Sequence, residues 1–93
     1  MNTQKYYDME KALDYPPMEL KKRDLNKYTE IKRAYNEGHQ KITETFKQDL
    51  FKDLGIENNP KKEKLFEIAW RMGHGGGYGD VVCYAEDMVG LIK

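Results

Sequence analysis

The stretch Arg71-Met72-Gly73-His74-Gly75-Gly76-Gly77-Tyr78-Gly79-Asp80 sets five glycines between two segments of helical apolar spacing, and its reading decides the fold. Each glycine inside a helix costs about 1 kcal/mol relative to alanine, so a helix running through the tract gives up roughly 4–5 kcal/mol. Either the missing side chains let another backbone or a ligand approach closely, or the tract is a loop with amides free to meet an anion. Apolar residues resume almost in register beyond it, at Val82, Cys83, Ala85, Met88, Val89 and Ile92. A continuous or gently kinked helix is therefore the favoured reading, with glycine faces serving close helix contact and a loop as the alternative.

Working back from the tract, Leu65, Ile68, Ala69 and Met72 carry the first half of this segment, and Glu67 with Arg71 forms an i,i+4 pair. Asn59 suits a helix cap and Pro60 the first helical position. Before them, Leu25, Tyr28, Ile31, Tyr35, Ile42, Phe46, Leu50 and Leu54 recur at three-and-four spacing. Gly55 suits the left-handed position after the last turn, with Ile56 folding back on Phe51 or Leu50. A connection of about four residues predicts an antiparallel hairpin. At the amino end Thr3 is a candidate cap for a short helix reaching Leu13 or Asp14, with Tyr6, Met9 and Leu13 on one side. Tyr15-Pro16-Pro17 then forms an extended strap. No strand-length alternation occurs, so the expected fold is all-α. Its architecture is an antiparallel hairpin of two long helices with a short N-terminal helix. The 93 residues read as a single helical-hairpin domain, with N-terminal helix and strap at 1–17, helix A at 18–54 and helix B at 60–92. A core this small favours assembly with further copies.

Sixteen basic residues balance sixteen acidic ones, against a protein that grips long nucleic acid by bulk charge. Between Lys21 and Arg33, however, six basic residues face two acidic ones, either a solvated helix face or a place to receive a small anion. One cysteine and two histidines exclude a disulfide framework and a recognisable zinc-ligand set. With no long apolar run and no signal-peptide pattern, a reducing cytoplasm and no membrane are expected. The glycine tract has neither a preceding strand nor a Gly-Lys-Ser/Thr sequence, so it fits no nucleotide-binding enzyme motif. His74 with Asp80 or Glu86 has no nucleophile at a fixed offset, and Cys83 reads as a small core residue. No catalytic residue, metal site or cofactor is expected.

Seven tyrosines and Trp70 exceed what a two-helix core can bury with every hydroxyl satisfied. Tyr15, on its proline strap and close to the segment carrying Tyr28, Lys32 and Arg33, either packs the strap or offers a stacking face beside cationic donors, as a compact nucleotide requires.

Arg23-Asp24-Leu25 followed by Ile31-Lys32, the helix end Leu54-Gly55-Ile56, and the second helix leading to Tyr84-Ala85-Glu86-Asp87-Met88-Val89 resemble the phage anti-CBASS protein 2 family. The Leu65 to Tyr84 stretch is also similar to the carboxy-terminal part of small proteins of T4-like phages. The resemblance implies a non-enzymatic homohexamer of helical hairpins, acting in the host bacterial cytoplasm. It would bind cyclic dinucleotides such as cGAMP between subunits and so block CBASS immunity without cleaving the messenger. It places Lys32 at the family's phosphate-contacting lysine and Tyr15 at its base-stacking tyrosine, with Tyr6 and Tyr7 as alternatives. The expected ligand-binding set is Tyr15, Tyr28, Lys32 and Arg33. Cyclic trinucleotides occupy a second site in some relatives through a late arginine, and here the matching position falls near Ala85 with no arginine close by. The competing reading is a small phage effector that inhibits a host protein by direct binding through an aromatic face.

Overall fold

The computed structural model describes residues 1–92. It is all-α: helices α1 (Gln4–Lys11), α2 (Met18–Arg23), α3 (Leu25–Asp53), α4 (Lys62–Gly73) and α5 (Tyr78–Met88) are followed by a 3₁₀ turn, Val89–Leu91, and no strand occurs among the described residues. By compactness the chain divides into two units, one formed by Gln4–Glu44 and the other by the residues from Thr45 onward with Met1–Thr3.

In the first unit α1 begins directly after Thr3, and two turn hydrogen bonds, Ala12 N–H to the Met9 carbonyl and Leu13 N–H to the Glu10 carbonyl, close its far end. Its buried side chain is Tyr6, whereas Met9, expected on the same apolar side, is exposed. Helix A is not continuous from 18 to 54. Asp24, at φ −149° and ψ 88°, separates α2 from α3. Its backbone N–H still donates to the Leu20 carbonyl, while its Oδ1 accepts the Lys27 N–H at 3.1 Å. A short carboxylate that binds a free amide three residues ahead caps a new helix rather than extending the old one. Leu25, counted on the apolar stripe, is 58% exposed as a consequence of standing at that new start. Tyr28 and Ile42 are buried.

The second unit is built around the end of α3. Gly55, at φ +68°, places the Ile56 N–H on the Phe51 carbonyl (3.0 Å) and its own N–H on the Lys52 carbonyl (3.2 Å), the paired bonds of a Schellman ending. The linker is longer than expected. Asn59 does not start the next helix: its Oδ1 accepts the Lys61 N–H at 2.8 Å, forming a turn, and α4 begins at Lys62. Phe46 and Phe51 on α3 meet Phe66 on α4 with ring centroids 6.1 and 5.9 Å apart, and Lys47 pairs with Glu63 at 2.8 Å.

The glycine tract corrects the continuous-helix reading. α4 stops at Gly73, Gly77 takes φ +94° and ψ −171°, and α5 folds back against α4. An L side chain is strained at that φ, so the reversal depends on glycine there. Gly73 has a different task. A Cβ built on it would lie 2.6 Å from the Val81 nitrogen and 2.8 Å from the Val81 Cα, so the missing side chain is the space into which α5 packs. The close approach inferred from the sequence exists, but within one chain. The near-register return of the apolar pattern misled because two short antiparallel helices facing one core need the same spacing as one long helix. Tyr78, Val81, Val82 and Ala85 are the buried side chains of α5, with Tyr78 4.9 Å from Phe46 by ring centroids. Cys83, expected in the core, points outward between them and is exposed.

Candidate functional site

α2 ends in Lys21, Lys22 and Arg23, and the Asp24 break turns the chain so that Lys21 faces the first turns of α3. There the Nζ of Lys21 lies 5.8 Å and that of Lys32 5.9 Å from the ring centroid of Tyr28. Tyr28 is only 6% exposed, and its hydroxyl contacts the Met18 Sδ at 4.0 Å. Its ring is the floor of a shallow cleft of about 440 Å³ whose walls include Lys21, Lys32 and Arg33, with Asn36, Gln40 and one carboxylate, Glu37, further along. Ammonium groups over a phenol face gain from the ring quadrupole and stay oriented toward the cleft. Lys21, Lys32 and Arg33 have no ion-pair partner among the described residues, so three cationic donors with a single acidic neighbour face solvent together.

Three of the four expected site residues, Tyr28, Lys32 and Arg33, therefore share one cleft. Tyr28 is its nearly buried floor, with the two lysine Nζ atoms 5.8 and 5.9 Å from its ring centroid. Tyr15 does not line the cleft. It is 56% exposed and meets Tyr35 edge-on, with ring centroids 5.0 Å apart. Tyr35 follows Tyr28 by two helical turns, about 10.5 Å along α3. Past it, Tyr35 leans on His39 at 6.1 Å, and His39 Nε2 lies 3.2 Å from Glu10. Of the alternatives, Tyr6 is fully buried and Tyr7 half-buried. Lys21 was counted in the basic run but not in the expected binding set, because only the break at Asp24 brings it opposite Lys32. The signal present in the sequence was the lysine-rich end of α2 beside a capping aspartate.

The other candidate chemistry is dispersed. His74 is exposed and stacks on Trp70 at 5.8 Å, while the Asp80 carboxylate sits over Gly76 at the turn. Among the described residues no group of three His, Cys, Asp or Glu side chains is close enough to hold a metal ion, and no helix is long and apolar enough to cross a membrane.

No curated protein and no solved structure matches this chain. A family model matches residues 3–93, nearly the full length. On that match the chain belongs to DUF8546, a family of unknown function.

Proposed function

We propose that this protein is a non-catalytic sponge that binds cyclic dinucleotides of the cGAMP kind and withholds them from a CBASS effector. The observation that carries the reading is the convergence of Lys21, Lys32 and Arg33 on one cleft floored by Tyr28. Three cations with no ion-pair partner among the described residues suit a ligand with two phosphodiester charges, and the exposed Tyr15 against Tyr35 supplies an aromatic step two turns away for a purine. The resemblance of Arg23-Asp24-Leu25, Ile31-Lys32 and Leu54-Gly55-Ile56 to the anti-CBASS family implies the same ligand class.

Sequestration works when free messenger falls below the effector's dissociation constant, which requires affinity near nanomolar, about −12 kcal/mol. Hydrogen bonds to charged groups contribute roughly 1.5–3 kcal/mol each and base stacking about 1–3 kcal/mol per base. An open cleft on one copy cannot combine enough of these, so the ligand is enclosed by a second copy, in keeping with the expected hexamer. Titration calorimetry with cGAMP tests the reading. Binding is expected in wild type, with a loss of about tenfold or more in Lys32→Ala and in Tyr15→Ala. The nucleotide should be recovered intact after denaturation. Absence of heat at micromolar protein, or unchanged affinity in the double variant, refutes it. A monomer that instead captures a host protein favours the effector reading.

A further inference from the structure

The second unit holds a cleft that the proposed sponge activity does not use. It is about 360 Å³ in volume and is lined by Leu65 and Ile68 of α4, Met88 and Leu91 from the end of the chain, and Lys61 and Lys64 at one end. That volume falls within the range of small-molecule sites, about 300–1,000 Å³. The apolar walls are largely open: Ile68 is 37% and Leu91 78% exposed.

Charge is distributed unevenly around it. Among the described residues no carboxylate lines the cleft; the nearby Glu63 is paired with Lys47, and Glu67 lies 4.0 Å from Arg71. Lys61 and Lys64 have no acidic partner among the described residues. Asn59 holds the two sides together, since its Oδ1 accepts the Lys61 N–H at 2.8 Å and its Nδ2 donates to the Ile92 carbonyl at 2.9 Å. One side chain thus fixes the backbone that carries a cation and the backbone that carries the opposing apolar wall. A cleft whose walls are set before a ligand arrives loses less ordering entropy on binding.

We propose that this cleft binds a small amphipathic monoanion, an unbranched alkyl carboxylate or its equivalent, with the tail between Ile68 and Met88 and the headgroup at Lys61 and Lys64. An apolar wall alone would accept any oil, and a pair of lysines alone any anion. Together they select a molecule with both ends.

The test is an amide-resolved NMR titration of the full chain with decanoate below its micelle-forming concentration, with decanol as the neutral counterpart. Saturable shifts are expected at Leu65, Ile68 and Met88, with decanoate favoured over decanol by about tenfold. Lys61→Glu combined with Lys64→Glu should erase that preference while leaving the helical circular dichroism unchanged. The milder Ile68→Ser should weaken both ligands alike, and Lys32→Ala should alter neither. No saturable shift, or equal affinity for acid and alcohol, overturns the proposal. So does sedimentation as a dimer that Leu91→Asp disperses, which would make a second copy the occupant of this face.

Discussion

Replacing Gly73 with alanine separates the two readings of the glycine tract by the sign of its effect. In an unbroken helix the change would stabilise the protein by about 1 kcal/mol, the helix-propensity difference between the residues. In the observed hairpin the new Cβ meets the Val81 nitrogen at 2.6 Å, its Cγ2 at 2.7 Å and its Cα at 2.8 Å. Backbone atoms cannot rotate aside. An ordinary carbon contact needs about 3.5–4.0 Å, so α5 must retreat from α4 by roughly 1 Å. That retreat loosens the contacts of Ala69, Val81 and Ala85, all essentially inaccessible to solvent. Overpacking of this kind costs about 1–3 kcal/mol, which for a chain of this size lowers Tm by about 4–8 °C per kcal/mol. Gly75→Ala is the matched control, because a Cβ there meets nothing within 4 Å. It should be neutral or slightly stabilising through the unfolded chain. Thermal and urea unfolding followed by far-UV circular dichroism measures both. If Gly73→Ala is as stable as wild type, or tracks Gly75→Ala, α5 does not pack on α4 as described.

Other outcomes follow from single contacts. Asp24→Ala removes the acceptor for the Lys27 N–H and should destabilise by about 0.5–2 kcal/mol in urea unfolding, whereas Asp24→Ser should retain most of the cap. Asn59→Ala loses the bonds to Lys61 and Ile92 together and should cost about 1–3 kcal/mol, with faster amide exchange after Met88 as the local sign. Phe46→Ala empties the position shared by the rings of Phe66, Trp70 and Tyr78, and a loss of about 3–5 kcal/mol should appear as a fall in the unfolding midpoint.

Much of this architecture was legible from residues alone. The end of α3 at Gly55 and Ile56 was readable because glycine followed by an apolar residue has one favoured local outcome at a helix end. The break at Asp24 was not, since an aspartate within a basic amphipathic run is compatible both with a surface position and with a cap. Only the approach of Lys27 decides it. The fold-back at Gly77 stayed hidden for a related reason: apolar periodicity reports which face is buried and not whether the axis reverses between two stretches. At the candidate site, Lys32 and Arg33 could be named from the basic run between Lys21 and Arg33 and, for Lys32, from the family resemblance. Lys21 reaches the same cleft from another helix, and local spacing carries no record of that.

The tight reversal at residues 74–77 also bears on the order of assembly. Closing so short a loop costs little chain entropy, and contacts near in sequence form quickly. The α4–α5 pair is therefore set to nucleate by itself, and the tail of α3 joins once that surface exists. Kinetically, a defect at Val82 should slow folding, while one at Phe46 should mainly hasten unfolding.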